Sequence, residues 1–127
     1  MSDDNRPPTG TIAWHDLTVG NAENFRDFYR DVVGWRPEPV SMGEYDDYNM
    51  VAPSTGDPAA GVCHARGSNA DLPAVWLVYI IVDDLEAAMT KCESLGGQVI
   101  RRPAKPGPGT FCVIRDPAGA VCALYQG

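Results

Sequence analysis

The chain has 127 residues, 44% hydrophobic and 21% charged, the ordinary balance of one globular domain with a buried core. A formal net charge of −7 argues against nucleic acid or an anionic membrane as partner, because both select a basic footprint. No stretch reaches the length of a membrane-spanning helix and the polar start lacks an apolar leader core, so a cytoplasmic location is expected.

In chain order, residues 1–10 are polar, carry Pro7 and Pro8, and read as a flexible N-terminal tail. A strand is predicted over 11–19. Asn21 suits a helix N-cap, and Glu23 suits the positive end of the helix dipole. Phe25, Phe28, Tyr29, Val32 and Val33 then recur at helical spacing, which predicts one apolar face turned to the core. Gly34 closes that helix and Pro37 prevents its resumption. Extended segments are predicted over 36–40, 45–52 and 61–66, separated by Met42-Gly43 and Pro53-Ser54-Thr55-Gly56.

The second half repeats this order. Residues 74–82 are a dense apolar run, read as a strand buried on both faces. Asp83-Asp84, with Glu86 three residues after Asp83, forms a capping-box pattern. Leu85, Ala88, Met89, Cys92 and Leu95 supply the apolar face of the helix, and Gly96-Gly97 stops it. Strands follow over 98–101, 110–115 and 120–125, with a Pro/Gly loop at 103–109.

Both halves therefore read β-α-β-β-β, with Val19, Glu23 and Gly34 matched by Val82, Glu86 and Gly97 at 63 residues' distance. The peptide Asp57-Pro58-Ala59-Ala60-Gly61-Val62-Cys63-His64 recurs as Asp116-Pro117-Ala118-Gly119-Ala120-Val121-Cys122-Ala123 after 59 residues. Such self-similarity indicates a duplicated module. On this reading residues 11–127 are one domain, with module one over about 11–67 and module two over about 74–127. The peptide repeat matches His64 to Ala123, and implies four extra residues in the last loop of module one.

The strand Trp14-His15-Asp16-Leu17-Thr18-Val19, the helix segment Asp27-Phe28-Tyr29 ending at Gly34-Trp35, and the closing Arg115-Asp116-Pro117-Ala118-Gly119 carry a resemblance. The sequence resembles the vicinal oxygen chelate superfamily, which includes glyoxalase I, bleomycin resistance proteins and extradiol dioxygenases. The resemblance implies an α+β fold of two paired βαβββ modules, whose curled mixed sheets surround an open cavity. It also implies a homodimer, and metal ligands on the first and last strands of each module. Here those positions fall on Trp14, Leu77 and Ala123, and the peptide repeat assigns the fourth to His64. A catalytic ion needs about three converging protein ligands. No metal site and no cofactor are therefore expected.

Strand alternation puts Trp14, Asp16 and Thr18 on one face and His15, Leu17 and Val19 on the other. The resemblance brings Asp16 near His64, which makes the two a candidate catalytic acid–base pair. A hydrogen-bonded structural histidine is the competing reading. Trp14, Thr18, Arg66, Leu77, Tyr79 and Tyr125 are the candidate ligand-binding residues, an apolar and aromatic lining with a few polar groups. The expected function is binding of a small, partly aromatic molecule without the family's metal. The alternative is a lyase, isomerase or dioxygenase, either metal-dependent or using Asp16 and His64.

Arg101, Arg102, Lys105 and Arg115 are the basic cluster of an acidic chain, read either as an anion-holding group or as a solvated face. Cys63, Cys92, Cys112 and Cys122 have no zinc-site spacing and read as reduced core thiols. Alternation sends Cys63 and His64 to opposite faces, against a Cys–His nucleophilic pair.

Overall fold

Apolar residues at alternate positions need a helix to cover one face of each sheet, and the chain supplies that arrangement twice. The computed structural model describes residues 7–127. The element order is β1 (Ile12–Val19), α1 (Ala22–Val33), β2 (Arg36–Ser41), β3 (Asp46–Val51), β4 (Pro58–His64), β5 (Trp76–Val82), α2 (Leu85–Ser94), β6 (Gln98–Arg101), β7 (Phe111–Arg115) and β8 (Val121–Gln126). A 3-10 turn at Gly67–Asn69, not foreseen in the sequence, follows β4. The fold is α+β, two βαβββ modules with mixed sheets. Contacts divide the described residues into Trp14–Trp76 and a second unit of Leu77–Gly127 with residues 7–13.

In module one, β1 pairs parallel with β4, β4 antiparallel with β3, and β3 antiparallel with β2. Pro37 and Pro39 fit β2 because it is the outermost strand, where a missing N–H breaks no ladder. The core joins Leu17, Val19, Ala22, Tyr48, Met50 and Val62, with Tyr29, Trp35 and Trp76 packed against it. The Trp76 indole Nε1–H donates to Tyr29 Oη at 3.1 Å, and the two rings meet edge to face at 5.1 Å.

That aromatic contact sets the rotation of α1 and corrects the predicted core face. Ala22 is fully buried and Tyr29 packs inward, but Phe25, Phe28, Val32 and Val33 are exposed. The apolar stripe is wider than the strip of sheet that α1 covers. Arg26 shares the inward side, with its guanidinium 4.8 Å from the Tyr48 ring centroid. Asn21 sits at the N-cap without a side-chain cap bond. Gly34 closes the helix in the left-handed region, φ 88°, where a side chain would be strained.

Module two repeats the topology: β5 parallel with β8, β8 antiparallel with β7, β7 antiparallel with β6. Leu85, Met89, Cys112 and Leu124 form its core, joined by Ile80, Val82, Ala88, Val99 and Ile114. The cap of α2 is Asp84, whose carboxylate accepts from Ala87 N at 3.0 Å, one residue later than the capping-box pattern suggested. Gly97 is needed for space. A Cβ there would meet Cys92 Sγ at 2.5 Å and the carbonyls of Cys92 and Arg115 at 3.1 and 3.2 Å.

Of the tail expected over 1–10, residues 1–6 lie outside the described residues. Its far end is tied to β5, since Gly10 N donates to Ile81 O and Ile81 N to Thr11 O, both at 2.8 Å. Among the described residues, no helix is long and apolar enough to cross a membrane.

Candidate functional site

Each sheet has one face given to its helix, so the opposite face is where the modules differ. In module one the register sets Asp16 opposite Gly61 and Thr18 opposite Cys63, with Asn49 opposite Gly61 on the other side. Trp14, Asp16, Thr18, Asn49, Gly61 and Cys63 therefore share the face away from α1. A Cβ on Gly61 would come within 3.2 Å of Asp16 Cβ and 3.6 Å of Trp14 Nε1, so these groups are closely packed. The Cys63 thiol is hydrogen-bonded to Asp47. Burial first, then the charges of Asp16 and Asp47, raise its pKa well above the ordinary thiol value.

His64 lies elsewhere. The register pairs it with Val19, on the side of Leu17 and Val62, so Asp16 and His64 alternate onto opposite faces. Its Nε2 is 2.8 Å from Glu23 Oε2, and its Nδ1 is 3.2 Å from Asp47 Oδ1, which also accepts from the His64 backbone N–H at 2.9 Å. Both ring nitrogens are thus engaged by carboxylate oxygens. Tyr45 meets the ring edge to face at 5.1 Å, and the Arg66 guanidinium stacks 4.0 Å from the Tyr45 centroid. Arg66 accordingly belongs with His64 and not with Asp16. Glu23 and Asp47 were missed as partners of His64. Glu23 carried a sufficient reading as a helix-start residue, and nothing in the chain links Asp47 to a histidine 17 residues on.

The same registers correct the match between modules. Val19 pairs with His64 and Val82 with Gln126, while Asp16 pairs with Gly61 and Tyr79 with Ala123. Hence His64 corresponds to Gln126, and Ala123 corresponds to Gly61. Gln126 does for α2 what His64 does for α1: its Oε1 accepts from Leu85 N, the first residue of the helix, at 2.8 Å. The duplicated Asp-Pro-Ala peptide occupies different places in the two modules. Asp116–Ala120 is a turn, with Asp116 Oδ1 accepting from Ala118 N and Ala120 N and Gly119 at φ 91°. In module one that turn is Ala52–Asp57, closed by Ala52 N to Asp57 O, with Gly56 at φ 75°. Pro58 already belongs to β4. The module-one loop is one residue longer, not four.

With this register, the positions at which the resemblance implies metal ligands carry Trp14 and Gly61 in module one and Leu77 and Ala123 in module two, and none of these side chains is a metal donor. The divalent ion implied by the resemblance does not fit these residues. Among the described residues, no three His, Cys, Asp or Glu side chains gather so as to hold a metal ion.

In module two the face away from α2 holds Leu77, Tyr79, Ile81, Phe111, Val113, Ala123 and Tyr125. Leu77, Val113 and Ala123 are fully buried. Tyr79 and Phe111 meet edge to face at 5.4 Å. A bulge between Val99 and Arg101 turns Arg101 onto this face, opposite Val113. Its guanidinium stacks 3.9 Å from the Phe111 centroid and donates to Phe111 O at 2.7 Å. Burial lowers its pKa. The basic cluster disperses: Arg102 pairs with Glu93 at 2.8 Å, Arg115 donates to Gln98 at 3.3 Å, and Lys105 is exposed.

The profile of the Glyoxalase/Bleomycin resistance protein/Dioxygenase superfamily matches residues 11–124. CFP32 of Mycobacterium tuberculosis, named provisionally as a glyoxylase, is 34% identical over 119 residues, 93% of this chain and 44% of that protein. The anthracycline biosynthesis protein DnrV of Streptomyces peucetius is 32% identical over 130 residues, 92% of this chain and 47% of that protein. The chain thus spans under half the length of these relatives. A crystal structure of methylmalonyl-CoA epimerase shares the fold, with a TM-score of 0.52, 16% identity, and 95% of this chain and 98% of that one covered.

Proposed function

Because the chain belongs to the Glyoxalase/Bleomycin resistance protein/Dioxygenase superfamily, we propose that it binds a small, partly aromatic molecule without the family's divalent ion. The observation that carries this reading is made in each module separately: the positions at which the resemblance implies metal ligands carry Trp14 and Gly61 in module one and Leu77 and Ala123 in module two. Neither the indole and hydrogen of module one nor the isobutyl and methyl groups of module two offer an ion a donor. The aromatic face of module two supplies Tyr79, Phe111 and Tyr125, and Arg101 stacked on Phe111 supplies a charged group to orient the ligand. A small-molecule ligand also agrees with the kinship to DnrV, an anthracycline biosynthesis protein.

In this reading His64 is a clamp between α1, β3 and β4, as Gln126 is between β8 and α2. An acid–base mechanism through Asp16 and His64 loses its support, since the two side chains leave their strands on opposite faces.

The test has two arms. Protein purified without chelator should contain far less than one Zn, Ni, Mn or Fe per chain by elemental analysis; stoichiometric metal overturns the metal-free reading. A thermal-shift panel of aromatic acids and polyketides should yield a ligand that stabilises the fold by about 2.7 kcal/mol at 100 times its Kd. Tyr79→Ala should weaken that ligand at least about tenfold, or roughly 1.4 kcal/mol. A ligand indifferent to Tyr79→Ala does not use this face.

A further inference from the structure

Strand β6 leaves its regular ladder at one place, and the departure sets a cation on an apolar face. Gln98 lies opposite Arg115 and Val99 opposite Ile114, so an unbroken ladder would bring Ile100 opposite Val113. The bulge between Val99 and Arg101 brings Arg101 there instead. An isoleucine would match the fully buried Leu77, Val113 and Ala123 of that face; an arginine does not. Bulges occur beside active sites, where they re-aim a side chain.

A charged group held among apolar side chains costs free energy, and burial lowers the pKa of Arg101 accordingly. Joining β6 to β7 does not require that cost. The bond from Arg101 Nη1 to Phe111 O, at 2.7 Å, is one that a neutral amide could supply. What the guanidinium adds is a planar, charged fork, fixed by stacking at 3.9 Å from the Phe111 ring centroid. Around it, Tyr79 meets Phe111 edge to face at 5.4 Å, and Tyr125 lies opposite Phe111 in the ladder. A fork of N–H donors matches the geometry of a carboxylate, and the tyrosines match an aromatic ring.

We propose that Arg101 recognises an anion, and that the ligand of this face is an aromatic acid with its carboxylate on the guanidinium and its ring against Tyr79 and Tyr125. The proposal rests on the ligand-binding reading and narrows its chemical class. The probes are β-naphthoate and β-naphthamide, which share a ring system and differ in charge, titrated calorimetrically into the whole chain. The acid should bind at least about tenfold tighter than the amide, because its hydrogen bonds to the guanidinium are charged at both ends. Raising NaCl from about 50 mM to about 500 mM should weaken the acid and leave the amide unchanged. Arg101→Gln should bring the acid down to the affinity of the amide without altering the amide. Arg101→Lys, which keeps the charge and loses the fork, should reduce the preference at least about threefold, and it carries the same test if Arg101→Gln does not fold. Equal binding of the two probes by the wild type overturns the anionic class and leaves the aromatic-ligand reading in place. So does a preference for the acid that survives both substitutions at full size in a folded protein. Binding of neither probe up to about 10 mM also overturns the proposal, and neutral polyketides then decide the wider reading separately.

Discussion

Modules one and two share one βαβββ plan and differ most where no helix covers them. On the face away from its helix, module one carries Trp14, Asp16, Thr18, Asn49, Gly61 and Cys63. The corresponding positions of module two are Leu77, Tyr79, Ile81, Val113, Ala123 and Tyr125. The helix-facing residues are apolar in both, because both helices need the same support. The opposite faces support no helix, and one is polar while the other is apolar and aromatic, with Leu77, Val113 and Ala123 fully buried in it. A duplicated scaffold thus keeps the positions its helix packing requires and diverges on the faces turned away from the helices.

Exchanging matched residues breaks this comparison most directly. Val113 and Asn49 correspond, each lying opposite the matched Ala123 and Gly61. Val113→Asn puts an amide into a fully buried apolar site and should cost about 3 kcal/mol, read as the urea midpoint at constant slope. Asn49→Val, in the polar module, should stay within about 1 kcal/mol. Equal costs would mean that the two faces are equivalent environments.

The helix clamps give a smaller effect. His64→Ala should destabilise by about 2 kcal/mol, since Asp47 and Glu23 both lose their contact with the ring, and Gln126→Ala by about 1 kcal/mol, since Leu85 N loses one neutral bond. His64→Gln should recover part of the loss and leave ligand affinity unchanged. A large drop in affinity with stability intact would make His64 a ligand contact and not a clamp.

Thiol titration gives the smallest effect and sharpens the contrast from another side. Burial pushes the Cys112 thiol in module two up to about 11, from an ordinary value of 9.0. In module one burial also raises Cys63, and the charges of Asp16 and Asp47 add to it. Above the ordinary value the unfolded chain releases a proton that the folded chain retains. Stability therefore falls as pH rises from about 9 toward the folded pKa. Cys112→Ala and Cys63→Ala should each flatten that alkaline decline by about 1 kcal/mol at pH 10, measured by urea unfolding across pH. Adding Asp16→Asn should reduce the remaining effect only where Cys63 is present.

The order of elements was legible because each leaves a local mark. Periodicity outlined the strands and helices, and Gly34 ended α1 where a left-handed residue was needed. The duplicated Asp-Pro-Ala peptide misled, since one copy forms a turn and the other starts with a turn's last residue and enters a strand. A three-residue difference is odd, and an odd slip exchanges the faces of a strand. His64 was thereby assigned to the face of Asp16, when it belongs with Glu23 at the start of α1. The rotation of α1 was equally hidden, because its apolar stripe is broad enough for several orientations.

The sequence alone determined the kind and order of the helices and strands, the duplication and the family. These follow from residue type and short-range spacing, which chain geometry converts into local structure. Only the tertiary structure decided that Gly61 and not His64 corresponds to Ala123, that Glu23 and Asp47 hold the imidazole, and that Phe25, Phe28 and Val32 face outward. Each of these depends on which strands pair and in what register. That choice is made by contacts between residues far apart in the chain, and no local pattern records it.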